Sequence, residues 1–154
     1  TFQLVQQGLV ITKNKDKATI NKLKLKSIIE SDFITLKPDS TIGELRNKLQ
    51  TTKRDVFPIL DSEKTFLGII TLNDVREYIF TVDCHYENIP MSEIMYFPET
   101  WIEYNDSIEH IVEKLASSGH YNVPVLKDGK YYGFISRVKL FETYRNQIRE
   151  ISDD

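Results

Sequence analysis

The fold is decided by two similar stretches, Val56-Phe57-Pro58-Ile59-Leu60 and Asn122-Val123-Pro124-Val125-Leu126, whose prolines lie 66 residues apart. One residue is then lost in a turn, and Leu67-Gly68-Ile69-Ile70-Thr71 meets Tyr132-Gly133-Phe134-Ile135-Ser136 at an offset of 65. Self-similarity at a fixed distance is the signature of an internally repeated protein. We therefore expect two copies of one small structural unit.

Each copy carries the pattern of a β-α-β-β-α unit. Thr41 and Glu44 have the spacing of a capping box, which predicts the start of a helix. The β-forming runs Val56–Leu60 and Phe66–Thr71 predict a hairpin, and the Asp128-Gly129 pair predicts a tight type I′ turn in the second copy. A single unit of this kind leaves one face of its sheet uncovered. We therefore expect an α/β fold of the α+β type, in which two units pack sheet to sheet with pseudo-two-fold symmetry and create two equivalent clefts.

The composition is that of a folded, acidic domain. Apolar residues make up 40% of the 154 positions, enough for a buried core, and the net charge of −3 argues against a nucleic-acid partner. The single cysteine, Cys84, excludes an internal disulfide framework and a cysteine-based zinc site. No apolar run approaches the roughly 18 residues of a membrane span. Because the chain begins at Thr1 and not at methionine, we expect it to be a piece of a longer protein.

The sequence motifs of the common enzyme classes are missing. The chain contains no GxxxxGKS or GxxxxGKT loop, no GxGxxG turn, no HExxH and no GxSxG. His85, His110 and His120 stand at scattered positions without the spacing of metal ligands. We therefore expect no enzymatic activity, no metal and no obligatory cofactor.

The motif around the second strand of the first copy is distinctive. Gly68-Ile69-Ile70-Thr71-Leu72-Asn73-Asp74 follows the proline-containing strand, and Ser92-Glu93-Ile94-Met95 opens the second copy. With these features the unit resembles the CBS domain, a tandem pair of which is called a Bateman module. The resemblance implies a regulatory module that binds adenosine-containing ligands in the clefts between its repeats, has no catalysis of its own and forms a homodimer.

The segments outside the repeats resemble one subfamily. Phe2–Gly8, the polar residues 12–17 and the closing helix that ends at Phe141–Arg145 are similar to parts of prokaryotic CLC-family chloride channels and transporters. This resemblance implies a regulatory module at the cytoplasmic face of the cell membrane, with the channel's own membrane domain as its partner. A regulatory module of a metabolic enzyme and a ligand-free dimerisation scaffold are the alternatives. The expected segments are a connector at 1–24, CBS repeat 1 at 25–80, a linker at 81–88, CBS repeat 2 with its closing helix at 89–149, and a tail at 150–154.

The threonine and the aspartate of the family's Gly-h-h-Thr-x-x-Asp motif hold a ribose, which assigns that role to Thr71 and Asp74. A carboxylate can accept hydrogen bonds from both ribose hydroxyls, and the next helix is expected to offer free N–H groups to the phosphates of ATP, ADP or AMP. The alternatives are that Asp74 only caps its helix and that the aromatic residues belong to the core. The family's adenine positions match Phe33, Ile34, Thr35, Val56, Phe57 and Pro58; the phosphate positions match His120, Tyr121 and Asn122, with Arg54 and Arg76 as further candidates.

The second copy departs from this motif. Its Ser136-Arg137-Val138-Lys139 sequence places Lys139 where the ribose carboxylate belongs. An ammonium group cannot accept a hydrogen bond, so a ribose cannot be held there in the usual way. Arg137 and Lys139 would instead suit a phosphate. We therefore expect an asymmetric pair with at most one well-formed nucleotide site.

Overall fold

The computed structural model describes residues 22–80 and 84–153. Most of the expected connector, 1–24, and the first three residues of the expected linker, 81–88, lie outside the described residues. Within the described part of the chain, no helix is both long and apolar enough to cross a membrane. The elements in chain order are α1 (Lys22–Ser27), α2 (Ile42–Lys48), β1 (Val56–Leu60), β2 (Phe66–Thr71), α3 (Leu72–Phe80), β3 (Ile102–Glu103), α4 (Ile108–Ser117), β4 (Asn122–Lys127), β5 (Lys130–Ser136) and α5 (Arg137–Asp153).

The chain forms two compact units, both of mixed α+β structure. Unit 1 holds the described residues up to 31 together with 100–127 and those from 132 onward. Unit 2 holds residues 32–99 and 128–131. Each unit has a hydrophobic core of its own, and the two cores share no residue.

Unit 2 is built around the predicted hairpin, which the structure confirms. Strands β1 and β2 pair antiparallel, with Val56 opposite Thr71 and Pro58 opposite Ile69. The hydroxyl oxygen of Thr41 accepts a hydrogen bond from the N–H of Glu44 at 3.3 Å, so helix α2 begins where the capping box predicts. Spacing of three residues places Ile42 and Leu45 on one face of α2, and both are fully buried against the hairpin.

Unit 1 repeats this arrangement in the second copy. Strands β3, β4 and β5 form a sheet in that order, with β3 parallel to β4. The hydroxyl oxygen of Ser107 accepts from the N–H of His110 at 3.2 Å and caps helix α4. Asp128 and Gly129, between β4 and β5, have φ angles of 52° and 78°. Two successive positive φ angles are the requirement of a type I′ turn, so this prediction is also confirmed.

In each unit, the backbone of one residue pairs with the last strand of the sheet. In unit 1, Glu30 exchanges two backbone hydrogen bonds of 2.8 Å with Phe134. In unit 2, Tyr96 exchanges bonds of 2.8 and 3.1 Å with Ile69. Glu30 and Tyr96 lie 66 residues apart, the offset of the repeat. The added backbone passes directly over the glycine that each copy carries in its last strand.

Asp106 fixes the loop before helix α4 in unit 1. Its Oδ2 atom accepts from the N–H of Glu103 and from Nζ of Lys114, both at 3.0 Å, and its side chain is 15% exposed. Burial alone would raise the pKa of Asp106, but the hydrogen bonds from Lys114 and Glu103 outweigh it and hold that pKa below its usual value.

Replacing Asp106 by asparagine is expected to lower the free energy of unfolding at pH 7 by about 1 kcal/mol, because the charge-assisted bond to Lys114 is lost. A carboxyl with a depressed native pKa stabilises the fold above its unfolded pKa and loses this contribution as the pH falls through the native value. The difference between D106N and the parent should therefore shrink below about pH 4. Urea unfolding at pH 7 and pH 3 measures it, with exposed Asp39→Asn as the control; an equal difference at both pH values would contradict the assignment.

Candidate functional site

Thr71 and Asp74 lie together in unit 2, at the junction between β2 and α3. The N–H of Thr71 donates to Oδ2 of Asp74 at 3.0 Å, and the N–H of Asp74 donates to Oγ1 of Thr71 at 3.2 Å. This reciprocal pair has the pattern of a capping box, in which Thr71 is the N-cap and the Asp74 carboxylate accepts from the N–H of Thr71. The carboxylate nevertheless retains capacity, because it can accept about four hydrogen bonds and the residue is exposed.

Tyr96 is a third member of this cluster and was missed in the sequence. Its backbone is fixed to Ile69, two residues before Thr71, and its phenol lies close enough to the Asp74 carboxylate for the two groups to interact electrostatically. Burial and then the nearby Asp74 charge raise the pKa of Tyr96, so the phenol stays protonated at neutral pH. The repeat offset contains the signal, since it aligns Tyr96 with Glu30, but the sequence does not show which element either residue joins.

The first turn of α3 is less open than expected. The N–H of Leu72 donates to the carbonyl of Asp55 at 2.7 Å, and the N–H of Asp74 is bound to Thr71. The expectation that the helix start offers free N–H groups to a phosphate is therefore wrong for these two groups. They are used because the chain enters the helix directly from a strand that is paired beside Asp55.

The six residues expected at the adenine all lie in unit 2. Leu36 donates to the carbonyl of Pro58 at 3.0 Å, which places the run that precedes it beside β1. Phe57 is fully enclosed in the core of unit 2, so its ring is a core residue, which was the alternative to an adenine contact. The other five differ in exposure: Phe33, Val56 and Pro58 are buried, Ile34 is half-buried and Thr35 is exposed.

The two arginine candidates differ in how they are held. The guanidinium of Arg54 lies 4.3 Å above the ring of Phe33 and is hydrogen-bonded to the carboxylate of Asp32. Arg76 is exposed on α3. A cavity of about 350 Å³ in unit 2 is lined by Arg54, by Arg46 of α2, by the segment 49–55 that follows α2, and by apolar side chains of α3. Neither Thr71 nor Asp74 lines it, so this cavity is separate from the capping-box cluster.

The remaining predicted residues belong to unit 1. Tyr121 has an exposed side chain, and its carbonyl accepts from the N–H of Arg137 at 2.9 Å. Asn122 is half-buried at the start of β4, and His120 is exposed. The N–H of His120 donates to the hydroxyl of Ser118 at 3.1 Å.

Unit 1 also contains the counterpart of the Thr71–Asp74 pair. The N–H of Lys139 donates to the hydroxyl of Ser136 at 3.3 Å, as Asp74 does to Thr71. The ammonium group of Lys139 lies 3.3 Å from Oε1 of Glu30, whose side chain is 18% exposed. The charge that we expected to suit a phosphate therefore already faces a carboxylate. Unit 1 thus holds an ion pair where unit 2 holds a carboxylate and a phenol.

The arrangement of strands, helices and helix caps is that of a tandem CBS pair, and sequence comparison agrees. The family model described as CBS domain matches residues 25–81 and 91–146. The two matches cover most of the chain. The chain therefore belongs to the CBS domain family and carries two copies of the domain.

Three proteins of known sequence are similar to this chain. Methylated protein MJ0556 of Methanocaldococcus jannaschii is 25% identical over 97% of this chain and 89% of its own length. Inosine-5′-monophosphate dehydrogenase of the same organism is 38% identical over 34% of this chain, and chloride channel protein E of Dictyostelium discoideum is 29% identical over 54%. The match spans only 11% of the dehydrogenase and 8% of the channel protein.

Solved structures agree with the fold. CbpB of Listeria monocytogenes, solved in complex with c-di-AMP, has a TM-score of 0.65 at 19% identity, covering 82% of this chain and 98% of its own. The CBS-domain protein ATU1752 of Agrobacterium tumefaciens has a TM-score of 0.60 at 23% identity, covering 84% and 96%. At these identities the similarity shows the fold alone.

Proposed function

We propose that this chain is a regulatory module that senses adenine nucleotides and holds the ribose of the ligand through Thr71 and Asp74. The observation that carries the proposal is the convergence of a hydroxyl and a carboxylate where β2 passes into α3. A carboxylate that accepts from a vicinal diol makes charge-assisted hydrogen bonds, which are stronger than neutral ones. The module binds and releases its ligand without turnover.

The unit 1 position is proposed to hold no ribose. Lys139 has no acceptor to offer, and Glu30 is paired with it at 3.3 Å. Opening this ion pair to admit a diol would leave an ammonium and a largely buried carboxylate without their partner. The stoichiometry proposed for the module is therefore one nucleotide per chain.

We further propose that the module regulates a CLC-type chloride channel or transporter at the cytoplasmic face of the membrane and works as a homodimer. The similarity to chloride channel protein E over 54% of this chain supports this parent. The similarity to inosine-5′-monophosphate dehydrogenase supports the second candidate, a regulatory module of a metabolic enzyme. In either case a ligand biases the parent only through different affinities for its two states.

The coding sequence upstream of Thr1 distinguishes the two parents. Several apolar runs of about 20 residues would identify a membrane channel, and alternating strands and helices of a barrel would identify the enzyme. Neither result would affect the proposal for the nucleotide site.

A thermal-shift titration with ATP, ADP and AMP tests the sensing function. A ligand that binds only the folded state at tenfold excess over its Kd stabilises it by about 1.4 kcal/mol. For a chain of this size we expect the Tm to rise by about 3–6 °C. We add c-di-AMP because it is the ligand of the related Listeria structure.

Two outcomes would count against the sensing function. CTP has the same ribose and phosphates as ATP, so an equal rise in Tm with CTP would show that the site does not distinguish the base. If none of the four adenine ligands raised the Tm at millimolar concentration, the module would be a ligand-free scaffold. If a ligand does raise the Tm, calorimetry should show that it binds at one site per chain.

A further inference from the structure

One end of the unit 1 sheet carries two tyrosines and a lysine on neighbouring strands. Strand β3 runs parallel to β4, and the N–H of Tyr104, just after β3, donates to the carbonyl of Leu126 at 2.7 Å. Tyr104 therefore lies beside Lys127, the last residue of β4. Strand β5 follows a two-residue turn, so its start lies at the same end and brings Tyr132 there. The rings of Tyr104 and Tyr132 are in contact, with centroids 4.8 Å apart.

Helix α1 adds a second lysine to this end of the sheet. Leu25 is buried in the core of unit 1, which fixes the helix on the unit, and its neighbour Lys26 is exposed. The Nζ atoms of Lys26 and Lys127 lie 4.7 and 5.1 Å from the centroid of the Tyr104 ring, within reach of a cation–π interaction. The tyrosine–lysine patch is defined by these four residues: Lys26, Tyr104, Lys127 and Tyr132.

The protein does not neutralise the two positive charges of the patch. Because both ammonium groups lie close to one ring, they are at most about 10 Å apart, so their fields overlap at moderate ionic strength. Neither lysine forms an ion pair with another described residue. Glu103, the carboxylate next to Tyr104 in the chain, instead accepts from Nε1 of Trp101 at 3.0 Å. The patch is therefore suited to a partner that is itself negatively charged.

The sequence that leads into α1 carries more charge of the same sign. From Lys13 to Lys26, six of the fourteen residues are lysine and only Asp16 is acidic, although the whole chain has a net charge of −3. Clusters of roughly four to eight basic residues are attracted to anionic lipid surfaces. Tyrosine rings are enriched at the same surfaces, since they join an apolar ring to a polar hydroxyl.

From these observations we infer that the tyrosine–lysine patch is a docking surface for an anionic lipid bilayer. The lysines meet the charged headgroups, and the tyrosine rings lie at headgroup level with their apolar bodies covered by the lysine stems. A bilayer is favoured over an acidic peptide because it is an extended surface, which can attract the patch and the lysine-rich segment together. The inference goes beyond the proposed function: it requires no nucleotide and holds for either parent protein.

Co-sedimentation of the whole chain with lipid vesicles tests the inference. We expect binding to phosphatidylcholine vesicles that contain about one-third phosphatidylglycerol, and no binding to phosphatidylcholine alone. Lys26→Gln and Lys127→Gln should each weaken binding about 5-fold, and the double variant about 25-fold, the value of one and two lysines near an anionic surface. The double variant Lys37→Gln/Lys53→Gln is the matched control, since it removes two exposed positive charges from unit 2 and should bind as the parent does.

The remaining outcomes would each overturn the inference. They are equal binding to both kinds of vesicle, no binding to either, and an equal loss of binding in the control variant. Release from the vesicles by millimolar glycerol phosphate would show that the ligand is a free phosphate and not a bilayer. Tighter binding to a polyglutamate peptide than to vesicles of equal charge concentration would assign the patch to an acidic protein partner. None of these results depends on ATP binding, which calorimetry measures separately.

Discussion

Asp74→Asn is expected to weaken the binding of ATP by about 10- to 150-fold, the value of hydrogen bonds to a charged acceptor. Asparagine has nearly the same shape and keeps a carbonyl oxygen for the N–H of Thr71, so the capping box should survive. It offers a neutral acceptor to the ribose where the carboxylate offered a charged one. The loss of affinity therefore reports the charge of Asp74 and not the loss of a helix cap.

Three measurements test this interpretation. The Tm of D74N without ligand should stay within about 2 °C of the parent, because asparagine and aspartate are comparable caps. Glu109→Gln removes one charge from the first turn of α4 in unit 1 and should leave the affinity unchanged. Calorimetry gives the affinities directly. If D74N bound ATP as tightly as the parent, the proposed contact between the ribose and the carboxylate would be wrong. The main support for nucleotide sensing would then be lost.

Local structure was predictable from the sequence wherever neighbours along the chain decide it. Thr71 and Asp74 are three residues apart, so their capping box follows from spacing alone. The φ angles at Asp128 and Gly129 follow in the same way from the demands of a two-residue turn. These elements need only a few consecutive residues.

The contacts of the edge residues could not be predicted, because they join distant parts of the chain. The Asp74 charge acts on the phenol of Tyr96, 22 residues later, and Glu30 forms an ion pair with Lys139, 109 residues later. The offset of 66 shows that Tyr96 and Glu30 are equivalent positions, but one is a phenol and the other a carboxylate. Residue type alone therefore gave no reason to assign both to one role.

The boundaries of the compact units could not be predicted from the sequence either. The expected repeat begins at residue 25, whereas Leu25 and Ile28 of the first described segment pack into the core of unit 1. Repeat boundaries are read from similarity between copies, but compact units are defined by which apolar faces meet. The segment before residue 32 is part of the first copy by sequence and part of unit 1 by packing.

The reason for glycine at positions 68 and 133 is visible only in the three-dimensional structure. A Cβ at Gly133 would lie 2.6 Å from the carbonyl oxygen of Glu30, and one at Gly68 would lie 2.8 Å from that of Tyr96. Real Cβ atoms do not approach backbone that closely, so both positions need glycine for the added edge backbone to pair. Gly133 also has a φ of 141°, which L side chains rarely adopt.

Gly133→Ala is therefore expected to have the largest effect on stability, about 3–5 kcal/mol, from a steric clash and backbone strain together. The clash also threatens the two 2.8 Å hydrogen bonds between Glu30 and Phe134. For a chain of this size the Tm should fall by about 6–20 °C. Thermal unfolding followed by circular dichroism measures the change, since both helices and strands contribute to the signal.

Three further glycines separate the clash from the strain. Gly68→Ala adds a clash without a positive φ, and about 1–3 kcal/mol is expected. Gly129 has a φ of 78°, but a Cβ there would have no atom within 4 Å. Gly129→Ala is therefore expected to lower the free energy of unfolding by about 1 kcal/mol, from backbone strain alone. Gly119→Ala has open space and no such φ, and should be nearly neutral. The expected order of destabilisation is 133, 68, 129 and 119; a Gly133→Ala protein as stable as Gly119→Ala would mean that the edge residue does not pair with the sheet in solution.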